Sequence, residues 1–394
     1  MPGFSTRAIR AASRVPAVPQ APVNVPIYQT STFEVGSAEE LAELLEFSRP
    51  GHSYSRYSNP THQALEEALA ELEEAEACHI TASGMAAVHA VVLSTVRSGE
   101  EVIIPRAVYG GVVGLANAVL ERSGITARPV DTTDPEQVAD AIGERTRLIW
   151  LETISNPTTA MADIAAIAEI AHRRGVPVAV DNTFASPYLC NPLALGADLV
   201  VHSTTKYIGG HSDITGGAIL GSVERVTAAR KIVINVGGNA APLEAFLALR
   251  GLKTLSLRME RHSSNALTVA MALRDAPGVD HVRYPSLSSH PQHHLAMRTL
   301  RGGMAGGMLA LELSGGRQAG ERFLDRLRVA VHATSLGSAE TLCSHPASSS
   351  HRQLNEDELA VAGLTSGMVR VSIGLEDPDD LVADLMAAAS PTGS

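Results

Sequence analysis

Lys206 stands in Val201-His-Ser-Thr-Thr-Lys-Tyr-Ile-Gly-Gly-His211, directly after a short apolar run, with hydroxyls before it and glycines after it. A lysine amine becomes a useful nucleophile toward an aldehyde only where its charged form is disfavoured, and a Schiff base is the usual outcome. Ser203 and Thr205 can donate to phosphate oxygens, and Gly209 and Gly210 let backbone approach closely. Alone, the run reads equally well as a surface lysine in a Gly-rich turn. Asp181, which closes the preceding apolar run at Val180-Asp-Asn-Thr-Phe184, shifts that balance. A lysine and an aspartate at two strand ends match what pyridoxal 5′-phosphate (PLP) requires. Its ring accepts electrons only while the pyridine nitrogen stays protonated, and an aspartate is the usual partner of that nitrogen.

Two further segments fit the same chemistry. Ala82-Ser-Gly-Met-Ala86 reads as a turn into an apolar helix. Gly84 and Met85 then offer N–H groups at a helix N-terminus, where a phosphate is favoured, and Ser83 also reads as an ordinary N-cap. Ala107-Val-Tyr-Gly-Gly111 follows another apolar run, so Tyr109 is placed to lie against a planar ring, or is simply a half-buried aromatic.

The elements that must position these residues alternate. Glu101–Pro105, Arg147–Glu152, Val176–Asp181 and Asp198–His202 read as buried strands, while Glu66–Ala77, Gly84–Val96 and Ile164–Arg174 carry helical spacing. Alternation of this kind predicts an α/β fold with a mostly parallel central sheet covered by helices on both faces. After about Arg250 the pattern changes. A long helix over Leu252–Arg274, a Pro/His/Ser-rich loop and an apolar run Met308–Leu313 predict a smaller C-terminal α+β domain. Ala11–Pro26, with Pro16, Pro19, Pro22 and Pro26, reads as an extended arm on another surface or a partly mobile tail.

The motifs resemble those of the Cys/Met-metabolism family of PLP enzymes (fold type I), from Pro26-Ile-Tyr-Gln-Thr-Ser-Thr-Phe33 to Val371-Ser-Ile-Gly-Leu-Glu-Asp377. The family includes cystathionine γ-synthase, cystathionine γ-lyase, methionine γ-lyase and O-acylhomoserine sulfhydrylases. The resemblance implies catalytic roles for Lys206 as Schiff-base lysine and proton shuttle, Asp181 on the pyridine nitrogen, and Tyr109 stacked on the ring. It implies that Ser83, Gly84, Met85, Thr183, Ser203 and Thr205 help bind the cofactor, and that Tyr54 and Arg56 reach the phosphate of a neighbouring subunit. A guanidinium suits that task because it binds phosphate through paired hydrogen bonds. Arg370 is implied as the clamp for the substrate α-carboxylate, with Asn156, Ser335 and Thr334 completing the pocket. The implied organisation is an arm at 1–57, a PLP-binding large domain at 58–257 and a small domain at 258–394, in a homotetramer built as a dimer of dimers with shared sites.

Departures from the family pattern bear on the substrate. Cystathionine-handling relatives carry a glutamate where this chain has Thr334, and a threonine offers a hydroxyl in place of a charge. Methionine γ-lyases often have Tyr-Gly-Cys where Tyr109-Gly110-Gly111 stands, and their Lys-Asp pair is absent from Ile232-Val-Ile-Asn-Val-Gly-Gly238. Tyr57 replaces a small or aliphatic residue. The leading expectation is γ-elimination on a sulfur or other γ-substituted amino acid such as methionine, homocysteine or cystathionine, giving a 2-oxo acid and ammonia. The alternatives are γ-replacement of the cystathionine γ-synthase or O-acylhomoserine sulfhydrylase type and, more remotely, a PLP-binding protein without catalysis.

Bulk properties narrow the partners. The 394 residues carry 31 Lys+Arg against 42 Asp+Glu, a net charge of −11, which argues against broad binding to nucleic acid or anionic membrane. Cys78, Cys190 and Cys343 form no C-x-x-C pair, so a cytoplasmic setting is expected, with no disulfide framework. No apolar run approaches the length of a membrane span. The cluster at His290-Pro-Gln-His-His294 reads as a solvated loop in preference to a metal site, so no metal is expected. Glu66, Glu67, Glu71, Glu73 and Glu74 read as a solvated helix face.

Overall fold

The structure is a computed structural model that describes residues 3–13, 22–349, 352, 355–361 and 363–391. Part of the expected N-terminal arm, residues 14–21, lies outside these; before it, Phe4–Ala11 is a helix. The chain divides into two compact units, Met1–Thr95 with Asp198–Leu255, and Val96–Ala197 with Ser256–Ser394. In chain order the strands are β1 Ala77–Thr81, β2 Glu101–Pro105, β3 Thr126–Val130, β4 Thr146–Glu152, β5 Val178–Asp181, β6 Leu199–His202, β7 Gly217–Gly221, β8 Val279–Arg283, β9 Met308–Leu313, β10 Val331–His332, β11 Leu342–Ser344 and β12 Met368–Ser372.

In the first unit β7 lies between β1 and β6 and runs antiparallel to both. The helices Pro60–Glu73, Gly84–Thr95 and Val223–Val236 pack on these strands. Local signals set their ends. Asn59 caps the first helix by accepting from Thr61 N, Pro60 occupies its first turn, and Glu74 leaves it in the left-handed conformation. The helix expected over Glu66–Ala77 is therefore an earlier one, and Ala77 already belongs to β1.

In the second unit β5, β4, β2 and β3 lie side by side, all parallel. Every residue of β2 is buried, and β4 exposes only Arg147. Such continuous apolar runs are what strands covered on both faces require. Ile103, Ile149, Leu151, Val178 and Val180 share one core with Ile164, Ile167, Ala168 and Ala171 of the helix Ile164–His172. A second sheet in this unit has the order β10-β11-β12-β9-β8 and is antiparallel apart from the short β10–β11 pair. It is the smaller α+β part expected of the C-terminal region. The long helix expected over Leu252–Arg274 is present as Leu255–Leu273, and a separate helix, Pro242–Leu252, precedes it.

Two surface readings are corrected. Glu73 is buried and its Oε1 lies 2.5 Å from Nε2 of the equally buried His202, while Glu66 accepts from Ile80 N and contacts Nδ1 of His79. Seven residues apart, Glu66 and Glu73 share the inward face of a helix whose Glu67 is exposed and Glu71 half-buried. His290, read as part of a solvated loop, is buried at 6% exposure, because the loop folds down beside Tyr284 and Leu287, which are buried too.

Candidate active site

Lys206 sits on the turn that leaves β6, a strand buried along its whole length. The turn is tied by its own backbone: Lys206 N donates to Ser203 O (3.2 Å), Gly209 N to Thr204 O (2.8 Å) and Gly210 N to Lys206 O (2.7 Å). Gly210 needs its positive φ of 75° to close this turn. Thr205 Oγ1 accepts from Gly216 N (2.9 Å) and donates to Gly216 O (3.2 Å), which locks the hydroxyl to the strand that follows. Ser83 Oγ accepts from Ala86 N (3.1 Å), so it caps the helix Gly84–Thr95. Gly84 begins that helix against Ser203. A Cβ at position 84 would stand 2.8 Å from Ser203 Cβ and 3.2 Å from its Cα. Ser83, Gly84 and Ser203 thus form a narrow cradle at a helix N-terminus that a single methyl would fill. Such a cradle fits a phosphate, because backbone N–H groups and the helix dipole both face the anion. Met85 follows in the first turn of the same helix.

Tyr54 and Arg56 lie elsewhere in this unit. Tyr54 is exposed, and Arg56 donates to Ile234 O (3.0 Å) and Tyr57 Oη (3.2 Å), its guanidinium 4.7 Å from the Tyr57 ring centroid. Ile234 is in the last turn of the helix Val223–Val236, whose carbonyl end favours a cation.

The second unit carries the acidic residues. Asp181 ends β5, and its Oδ1 accepts from Thr183 N (2.9 Å). Tyr109 immediately precedes the short helix Gly110–Leu115 and leaves its side chain exposed. Arg370, at the centre of β12, donates to Ser335 O (2.6 Å) and reaches Asn156 Oδ1 at 3.5 Å. Thr334, one residue before Ser335, is exposed. Asn156 precedes Pro157 through a cis peptide bond.

One residue with no assigned role connects these. Glu152, the last residue of β4, accepts from Tyr109 N at Oε1 (2.9 Å) and from Asn156 N at Oε2 (3.0 Å). It is buried at 6% exposure. Burial first, and the nearby Asp181 charge second, push its carboxyl up to about 8, although the two N–H donors act in the opposite direction. The sequence shows only two apolar runs that each end in an acid; the register that pairs Glu152 with Asp181 across parallel β4 and β5 is set by the fold. Glu152 also faces a cavity of about 300 Å³ lined by Arg106, Asp131, Ser155, Thr158 and Arg283. Among the described residues no cluster of three or more His, Cys, Asp or Glu could hold a metal ion, and no helix is long and apolar enough to cross a membrane.

An α/β chain with a lysine on a strand-end turn, a glycine cradle at a helix start and a strand-end aspartate is of the PLP-enzyme class. Residues 5–390 match the profile of Cys/Met metabolism PLP-dependent enzymes, and the chain belongs to that family. It is 43% identical to an L-methionine gamma-lyase of Pseudomonas putida over 98% of this chain and 97% of that protein. It is 44% identical to a cystathionine gamma-synthase of Mycobacterium tuberculosis over 98% of this chain and 96% of that one. A Campylobacter jejuni structure solved with N′-pyridoxyl-lysine-5′-monophosphate superposes with a TM-score of 0.93 at 33% identity, covering 98% of this chain and 99% of that chain. The fold is that of the fold type I PLP enzymes, the strands of its large sheet being mixed in direction, and the cofactor is PLP.

Proposed function

We propose that the chain catalyses γ-elimination on a sulfur-containing or other γ-substituted amino acid, which with one water gives the departing γ-group (a thiol from a sulfur substrate), a 2-oxo acid and ammonia. The observation that carries an amino-acid substrate is Arg370, whose guanidinium is aimed by Ser335 O and Asn156 Oδ1. A planar fork held from two sides is suited to a carboxylate. Bound PLP supplies an electron sink for negative charge developing on the substrate. Lys206 holds the cofactor and moves protons at Cα and then Cβ, Asp181 keeps the pyridine nitrogen protonated, and Tyr109 lies on the ring and assists at the leaving group. Ser83, Gly84, Met85, Thr183, Ser203 and Thr205 bind the cofactor. Tyr54 and Arg56 serve a neighbouring subunit's phosphate, and Arg56, with five N–H donors, has others besides the one given to Ile234 O.

Thr334 favours elimination on a substrate without a charged distal end over cystathionine chemistry, since a hydroxyl cannot pair with an ammonium as a carboxylate does. The relatives named above include both a lyase and a synthase, so γ-replacement with an added thiol is the second reading. Assays on methionine, homocysteine, cystathionine and O-acylhomoserines, with and without thiol, separate the two. The expected result is 2-oxo acid release without thiol. Thioether formation that strictly needs thiol would replace elimination with replacement. Thr334→Glu should shift the kcat/KM ratio toward cystathionine by about tenfold, the effect of one charge-assisted hydrogen bond; an unchanged ratio removes Thr334 from the specificity argument.

In the same reading, residues 1–57 act as the arm, 58–257 as the large domain and 258–394 as the small domain of a homotetramer. Its cysteines, Cys78, Cys190 and Cys343, are outside any disulfide among the described residues, as expected of a cytoplasmic enzyme.

A further inference from the structure

We propose that Glu152 is a positioning residue for this reaction, clipping the Tyr109 loop to the Asn156 loop and so fixing the ring-stacking and carboxylate-binding side chains in one frame. The inference rests on the roles given above to Tyr109, Asn156 and Arg370. Each carboxyl oxygen takes one backbone N–H, Oε1 from Tyr109 and Oε2 from Asn156. The two loops leave different strands, β2 and β4. On the far side Asn156 Oδ1 faces Arg370 Nη1, and Arg370 in turn donates to Ser335 O. A single buried side chain therefore stands between the residue assigned to the ring and the residues assigned to the substrate carboxylate. Tyr109 is followed by Gly110 and Gly111, whose backbone offers little stiffness of its own. Without Glu152 both N–H groups would lose their acceptor.

The clip titrates in a working range. Its carboxyl is pushed up to about 8 by burial and by Asp181. Arg106, Asp131 and Arg283 line the same cavity as Glu152, and of the charged groups only Asp181 acts on its carboxyl. As pH rises through that value Glu152 gains charge beside Asp181, and the two carboxylates repel. Activity should then change on the alkaline side through geometry, with no proton passing from Glu152 to substrate.

The test is Glu152→Gln in the holoenzyme. A glutamine keeps the shape but offers one acceptor oxygen, and turns an N–H donor toward the other backbone N–H. Expected are a fall in kcat of roughly ten- to a hundredfold with a smaller rise in KM, as leaving one buried N–H without its acceptor implies. The alkaline limb near pH 8 should vanish, and amide hydrogen exchange should speed at both Tyr109 and Asn156, with cofactor content retained. A variant with wild-type exchange at the two amides, or with the alkaline limb unmoved, overturns the proposal. Should Glu152→Gln not fold, Glu152→Asp, one methylene short, is read by kcat and by amide exchange at Tyr109 and Asn156, because its carboxyl still titrates; wild-type exchange at both amides then overturns the proposal. If the wild-type protein releases no 2-oxo acid from any amino acid, the functional reading fails while the amide-exchange measurement still decides the role of Glu152.

Discussion

The lysine turn of the first unit and the acidic strand ends of the second are built on different principles. The turn around Lys206 is a backbone construction: short hydrogen bonds within 203–210, a glycine at 84 with no room for a methyl, and hydroxyls locked to neighbouring main chain. The β4–β5 ends are a charge construction, in which Glu152 and Asp181 are held by side-chain hydrogen bonds to loops and Asn156, beyond β4, meets Arg370 of β12. The first should therefore respond to volume and hardly to pH. The second should respond to pH and tolerate isosteric exchange poorly.

The largest effect expected is at Lys206. Lys206→Ala should lower 2-oxo acid release by about 10³-fold or more, since both the proposed covalent anchor and the proposed proton shuttle would be lost. Retention of the visible absorption of a lysine-bound cofactor in that variant would remove Lys206 from the role. Next comes Gly84→Ala. The added methyl meets Ser203 Cβ at 2.8 Å and its Cα at 3.2 Å, and the second of these is backbone that cannot swing away. Cofactor affinity should fall about tenfold, the scale of an overpacked contact, with the pH profile unchanged. A Gly84→Ala protein that binds PLP as tightly as wild type, measured by equilibrium dialysis, would break the volume half of the comparison.

What could be read in the sequence follows the same division. Lys206, Ser203, Thr205 and Gly84 were legible because backbone constructions leave contiguous motifs: a turn needs its glycines and hydroxyls at fixed local offsets. The strands were legible because burial on both faces writes an uninterrupted apolar run, as in Glu101–Pro105. Asp181 and Arg370 were reached partly through resemblance. Glu152 was not assigned a role, because its partners Tyr109 and Asn156 leave different strands and only the register of parallel β4 against β2 and β5 brings them together. The Glu73–His202 pair was misread for the same reason, since its two residues are 129 positions apart. The break between Leu252 and Leu255 left no proline or glycine pair to mark it, and Gly251 alone had another use: it seats the helix Pro242–Leu252 against the Ile208 and Gly209 carbonyls.

Stability against pH offers a sharper separation, with opposite signs in the two units. Glu152 has a folded-state value near 8 against an ordinary 4.5, so between those limits the native state holds a proton that the unfolded chain has released. Its contribution is full below about 4.5 and is lost as pH rises toward 8, at up to about 1.4 kcal/mol per pH decade for one proton. His62, in the first unit, is buried, and its Nε2 has no hydrogen-bond partner among the described residues. Burial chiefly, with Glu66 opposing and His79 and His52 adding, lowers it from 6.5 to about 4. The native state therefore keeps His62 neutral, and its stability is lost as pH falls from 6.5 toward 4, over a narrower window than that of Glu152. Thermal unfolding of the holoenzyme, Glu152→Gln and His62→Gln should show this. Relative to wild type, Glu152→Gln should flatten the loss between about pH 5 and 8, and His62→Gln, the smaller effect, should flatten only the acid limb. Parallel curves for His62→Gln and wild type below pH 6.5 would mean that the protonated ring finds a partner in Glu66, and the first unit would then share the charge construction assigned here to the second.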